Sequence, residues 1–213
     1  MLEPYYETEL GKLYHGDCLE IMPHLEPVDL VLTDPPYNEK INYGCETDDN
    51  KDFAGWIGWM SPIFKIVRNK SNTVLISTGI KRLAWYAHIE EWKWLLCWHK
   101  PAAMGRCSVG FTNWEPVAAW GMVNGKGVDV IRSAIIPKKE LEGHPCPKPT
   151  GWALGILNLF KKQSVLDPFL GSGTTAVACE RLNRRWIGIE IEERYCKIAR
   201  QRIENERRQR KLF

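Results

Sequence analysis

The chain has 213 residues, 44% of them hydrophobic, enough for one domain with a substantial core. With 26% charged residues and a net charge of +3, it is no disordered tail, and no apolar run is long enough to span a bilayer, so no membrane partner is expected. Its seven cysteines, Cys18, Cys45, Cys97, Cys107, Cys146, Cys179 and Cys196, form no CxxC pair, which favours free thiols in a reducing cytoplasm over a disulfide frame or zinc ribbon.

Met1 to Tyr6 lacks the basic and apolar parts of a signal peptide. From there, short β-rich runs alternate with helical patterns, which predicts an α/β chain on a mostly parallel sheet. Lys12–His15 reads as a strand and Asp17–Met22 as a brief helix. Val28–Thr33 is a strand halted by Pro35 and Pro36. A helix from about Phe53 to Val67 leads into the buried strand Thr73–Ser77. A second helix is expected over about Ile80 to Glu90, then strands near Trp94–Trp98 and Glu115–Trp120. Gly121 to Pro149 is rich in Gly, Lys and Pro and reads as a loop region. A helix near Gly151–Phe160, a strand Ser164–Asp167, a glycine turn, a helix over Thr174–Arg181, a strand Trp186–Glu190 and a long terminal helix complete the chain. No internal repeat interrupts this order.

Two strand ends carry unusual residues, and ligands of open α/β sheets bind outside the carboxyl ends of strands. One is Asp167-Pro-Phe169-Leu-Gly171-Ser172-Gly173-Thr174-Thr175-Ala176. Its glycines permit a sharp turn, and free N–H groups at the following helix start can receive an anion. No Lys precedes the Thr pair, so it is not a Walker loop. The Gly-x-Gly-x-x-Ala spacing fits a dinucleotide fingerprint, and Glu190 ends the next strand where a ribose-binding acid belongs. Alone, this turn serves NAD and S-adenosylmethionine sites equally.

The other strand end is Asp34-Pro35-Pro36-Tyr37. Two prolines stiffen the exit and remove two N–H donors, leaving carbonyls and the Asp34 carboxylate as acceptors. An amino group on a base ring is a poor nucleophile, because its lone pair is delocalised. Acceptors from Asp34 and the Pro35 carbonyl would hold both its hydrogens and favour a pyramidal nitrogen. Tyr37 offers a ring on which an extruded base can stack. A lone Asp-Pro-Pro-Tyr is also compatible with an ordinary turn.

Taken together, Asp34-Pro-Pro-Tyr37-Asn38 followed by the Asp167 glycine turn resembles the DNA amino-methyltransferase family. The catalytic motif precedes the cofactor motif, the circularly permuted order of the β group. Gly16-Asp17-Cys18-Leu19-Glu20 and His144-Pro-Cys-Pro-Lys148-Pro149 extend the resemblance from about Leu13 to Arg202. It implies a Rossmann-like methyltransferase fold, a mostly parallel twisted sheet with helices on both faces. It further implies S-adenosyl-L-methionine as cofactor and DNA as substrate, with a homodimer or a specificity protein as additional partners left open.

The resemblance assigns Asp34, Pro35, Pro36 and Tyr37 to the target base. Asp17, with Cys18, would meet the cofactor adenine, and Glu190 its ribose. Phe169, Gly171, Gly173 and Thr174 would wrap its methionine portion, with Asp167 and Ser172 in the same set. Lys148 would lie near its carboxylate, with His144 positioning that segment. No metal is expected. Asp34 in the first place of the motif favours adenine N6 over cytosine N4. A bacterial or phage protein of the cytoplasm fits this reading.

A dehydrogenase would not need Asp-Pro-Pro-Tyr, and an inactive nucleic-acid-binding relative would not need to keep Asp34, Tyr37, Gly171 and Glu190. Pro145-Cys146 lies in a loop, away from the strand end where a ring-carbon methyltransferase keeps its nucleophile. Of ten tryptophans, Trp56, Trp59, Trp92, Trp94, Trp98, Trp114 and Trp120 are expected to fill the core. The basic run Arg200 to Lys211 reads as a solvated helix face, with phosphate contact the lesser alternative. The one domain, residues 1–213, leaves only about Gly121 to Glu142 for target recognition.

Overall fold

A computed structural model of the chain describes residues 2–43, 49–101, 103, 105–135 and 145–210. The strands are β1 (Tyr6–Glu7), β2 (Gly11–His15), β3 (Leu30–Thr33), β4 (Thr73–Ser77), β5 (Trp94–His99), β6 (Gly105–Cys107), β7 (Gly110–Thr112), β8 (Trp114–Gly121), β9 (Val130–Arg132), β10 (Ser164–Asp167) and β11 (Arg185–Glu190). The helices are α1 (Cys18–Ile21), α2 (Phe53–Lys70), α3 (Leu83–Tyr86), α4 (Thr150–Leu159), α5 (Thr174–Arg181) and α6 (Glu193–Arg210).

Among the described residues, nine strands form one sheet in the order β1-β2-β11-β10-β3-β4-β8-β5-β9. The run β2-β11-β10-β3-β4 is parallel throughout, and β8 enters antiparallel to both β4 and β5. Although β2 and β11 lie at opposite ends of the chain, they pair over five positions, Trp186 to Glu190 against Gly11 to His15. This pairing is the permuted topology expected from the motif order.

The central strands are buried on both faces because helices cover both. Leu30 and Leu32 point into one core with Trp152, Ile156, Val177 and Ile203 of α4, α5 and α6. Val31 between them points the other way, into a core with Trp56, Met60, Phe64 and Tyr86 of α2 and α3. Alternation along a strand sends successive side chains to opposite faces, so a continuous Val/Leu run marks a strand covered twice. Side-chain caps fix the starts of α1 and α2: Asp17 Oδ1 accepts from the Leu19 N–H at 2.8 Å, and Asp52 Oδ1 from the Gly55 N–H at 2.8 Å.

Several expectations need correction. The helix expected over 80–90 is a single turn, Leu83–Tyr86. The Glu90 carbonyl is taken by the Trp120 indole N–H at 2.9 Å, so tertiary contact overrides local helix preference. The segment read as loop from Gly121 contains β9, which pairs parallel with β5. Trp56, Trp98 and Trp120 are core residues, but Trp94 and Trp114 are 57% and 39% exposed.

The basic terminal helix is only partly a solvated face. Arg202 donates to Ser172, Arg181 clamps Glu206, and Arg210 donates to the Glu180 carbonyl. Cys18, Cys97, Cys107, Cys179 and Cys196 carry free thiols. No helix among the described residues is long and apolar enough to cross a membrane.

Candidate active site

Strands β3 and β10 are parallel neighbours, with Leu166 opposite Val31. Their carboxyl ends therefore bring Asp34 and Asp167 side by side, and the Thr33 hydroxyl donates to Asp167 Oδ1 at 2.6 Å to join them. Outside these ends lies a cavity of about 330 Å³, lined at one end by Asp17, Cys18, Glu190 and Gly171 and at the other by Asp34, Pro35, Pro36 and Tyr37. Both motifs thus face one space.

The glycine turn is held from several sides. Glu190 Oε2 accepts from the Gly171 N–H at 2.7 Å and Oε1 from the Glu192 N–H at 2.8 Å. Arg202 donates to the Ser172 carbonyl at 2.6 Å and to its hydroxyl at 2.9 Å. The Thr174 hydroxyl donates to the Lys148 carbonyl at 2.7 Å, tying the turn to the segment before α4. Gly171 has φ +54° and Gly173 φ +87°, the left-handed region that favours glycine. Phe169 lines the cavity and meets Trp59 edge-on at 5.9 Å between ring centroids.

Gly173, expected to wrap the methionine portion of the cofactor, also meets the neighbouring helix. A Cβ added there would lie 2.9 Å from Ala199 Cβ and 3.0 Å from Ala199 Cα, so it faces α6 rather than the cavity. The residue allows the turn and the close packing of α5 on α6. Gly171, Ser172 and Thr174 line the cavity instead.

At the other end, Lys148 lies 2.8 Å from Asp34 Oδ2 and 3.5 Å from Glu115 Oε2, and donates to the Tyr37 hydroxyl at 2.9 Å. The Tyr37 hydroxyl has one proton to give. It lies 2.7 Å from Asp34 Oδ1 and 3.2 Å from Glu115 Oε2, and also meets Ser77 Oγ. Lys100 closes the cluster on Glu115 Oε1 at 2.6 Å. The resemblance implies a place for Lys148 near the cofactor carboxylate; in the structure its ammonium is paired with Asp34. Tyr37 is likewise anchored inward through its hydroxyl, and its ring packs over Gly79, where a Cβ would lie 2.8 Å from Cδ2.

The loop after the motif is organised by Asp49, whose carboxylate accepts from the backbone N–H groups of Asn38, Glu39 and Ile41. Arg82 donates to the carbonyls of Tyr37 and Asn38. His144 lies outside the described residues. Cys146 lines the cavity from the segment before α4.

Burial raises the carboxyl of Glu190 to about 7 and that of Asp167 to about 6, despite the N–H and hydroxyl donors around them. Burial also raises Asp34, and the Lys148 ammonium opposes the rise. Burial works against ionised Glu115 too, but Lys148 and Lys100 outweigh it and hold this carboxyl below its ordinary range. The two acids hold Lys148 above its ordinary value although burial opposes its charge.

Glu115, Ser77 and Lys100 were not singled out from sequence as site residues, and Trp59, expected to fill the core, lines the cavity. Glu115 sits inside a hydrophobic strand, where only its acidity marks it. Among the described residues lining the cavity, seven acidic side chains (Asp17, Asp34, Glu39, Glu115, Asp167, Glu190 and Glu192) face a single cation, Lys148. Such a lining suits a cationic ligand.

A permuted, mostly parallel sheet with a glycine-turn end and an Asp-Pro-Pro-Tyr end sharing one cavity defines a Rossmann-type methyltransferase. Residues 28–113 and 111–201 match the N6/N4 DNA methylase family, and the chain belongs to that family. It is 29% identical over 254 residues to the Type II methyltransferase M2.DpnII of Streptococcus pneumoniae, covering 97% of this chain and 94% of that protein. Among solved structures, the PvuII DNA methyltransferase (cytosine-N4-specific) superposes with a TM-score of 0.75 at 19% identity, covering 94% of this chain and 88% of that one. M1.HpyAVI in complex with SAM gives 0.66 at 25% identity, covering 91% and 99%.

Proposed function

We propose that the chain transfers a methyl group from S-adenosylmethionine to the N6 amino group of adenine in DNA. The observation that carries this reading is the shared cavity: Asp34 and the glycine turn open onto one acidic space. That lining fits a sulfonium, which when bound supplies an already activated methyl group, so alignment and electrostatics are the protein's task.

Each end of the cavity has its part. Glu190 has both oxygens oriented by backbone N–H groups and retains acceptor capacity for ribose hydroxyls. Asp17 and Cys18 border the place for an adenine ring. Asp34 and the Pro35 carbonyl accept the two hydrogens of the target amine, which keeps its lone pair directed at the methyl carbon. As the nitrogen gains its methyl group it gains positive charge, and the Asp34 carboxylate stabilises that charge and can take the departing proton. Lys148 limits the cost of keeping Asp34 ionised in a largely buried site.

Aspartate in the first place of the motif supports adenine over cytosine. Mass spectrometry of nucleosides from host DNA after expression of the chain tests this directly. N6-methyladenine is the expected product; N4-methylcytosine would replace the adenine assignment, and no modified base would support an inactive relative.

A further inference from the structure

The ribbon β6–β7 stands outside the main sheet, as a separate two-stranded sheet. Arg106 and Phe111 are directly opposed in its register, so a guanidinium and an aromatic ring share one face. Val109 at the turn is 92% exposed, Phe111 66%, and Trp114 just beyond it 39%. Apolar side chains gathered on one projecting hairpin mark a binding surface. From His99 to Trp114 there is no Asp or Glu, while Lys100 and Arg106 supply positive charge.

The ribbon is rooted at the active site. Its stem closes where the Lys100 N–H donates to the Asn113 carbonyl at 2.6 Å and His99 pairs with Trp114. The same Lys100 binds Glu115, which contacts both Tyr37 and Lys148. The exposed tip therefore projects from the same cluster that holds Asp34.

We propose that this ribbon enters duplex DNA beside the target base, and that Phe111, with Val109, fills the stack the extruded base leaves. The proposal rests on the DNA-methylation reading, because a base inside a duplex cannot reach Asp34 without leaving its stack. The major groove admits a two-stranded ribbon, apolar wedges between base steps help unstack them, and Arg106 suits a neighbouring phosphate. A stretch free of acids and rooted beside the site matches a polyanion that must present its base there.

The test compares the wild-type chain with Phe111→Ala and Phe111→Trp on a paired duplex and on the same duplex mismatched at the target base. Phe111→Ala should lower kcat/KM on the paired duplex by about tenfold or more, while Phe111→Trp retains activity. The mismatch should restore most of the loss, because the base is already partly free to leave. An unchanged rate on the paired duplex, or the same loss on both duplexes, would overturn the proposal. Failure of the methylation reading would show separately, as a wild type that modifies neither duplex. Fluorescence anisotropy then decides the ribbon's role: weaker duplex affinity in Phe111→Ala supports it, and unchanged affinity overturns it.

Discussion

Replacing Lys148 by Met removes the ammonium 2.8 Å from Asp34 and 3.5 Å from Glu115 while keeping most of the side chain's bulk. Removing one partner of a buried pair costs about 3–5 kcal/mol. The Asp34 and Glu115 side chains are 22% and 21% exposed and either can take a proton, so the lower end, about 3 kcal/mol, is expected. The pH profile is more diagnostic. An adjacent opposite charge lowers a carboxyl pKa by about 1–3 units, and without it burial alone acts on Asp34. Asp34 then stays protonated to higher pH and loses acceptor capacity for the target amine. Single-turnover rates from about pH 5 to about pH 9, at saturating cofactor, should show the acid limb displaced upward by about 1–3 units. Activity should recover at the alkaline end with cofactor affinity nearly unchanged. An unmoved acid limb together with weakened cofactor binding would refute this placement and return Lys148 to the cofactor carboxylate.

Gly173, Glu190 and the segment after β8 each give a further expected outcome. Gly173→Val places a Cβ against Ala199 at a φ of +87°, so it should lower stability by about 2–5 kcal/mol in urea unfolding; loss of cofactor binding at unchanged stability would show the residue faces the cavity after all. Glu190 ionises near pH 7, so affinity for a cationic cofactor should rise with pH through that value and flatten in Glu190→Gln, as calorimetry would show; an unaltered slope would contradict the assignment. Because its folded pKa is raised, the stability this acid gives the ligand-free protein is present below 4.5 and lost as pH rises through about 7. The short segment from Gly121 to Glu142 cannot form a domain with its own core, so a short or relaxed recognition sequence is expected. Methylome sequencing of a host expressing the chain alone tests this; a single strict site of six or more bases would sink the idea.

The sheet and both motif ends were readable because their physics is local. Pro35-Pro36 and the glycines punctuate the chain, and runs such as Leu30–Thr33 and Thr73–Ser77 mark strands covered on both faces. What escaped depends on partners distant in sequence. Glu115 resembles any strand residue until β8 is placed beside β4. The identity of Lys148 was marked by its motif, but its pairing with Asp34 arises only once the segment before α4 crosses the strand ends. The ribbon β6–β7 lacks the usual Asn-Gly or Asp-Gly turn and uses Ser108-Val109 before Gly110, whose φ is +121°. Strand β9 is three residues long, too short for a period to show.

The most direct test of the account is methyl transfer by the purified chain and by Asp34→Ala. Each would be incubated with labelled S-adenosylmethionine and duplex DNA carrying the mapped site, and cofactor affinity measured in parallel. The account predicts labelled N6-methyladenine from the wild type and none from Asp34→Ala, with cofactor affinity retained in both. Transfer by Asp34→Ala at the wild-type rate, or loss of its cofactor binding in step with its activity, would contradict it.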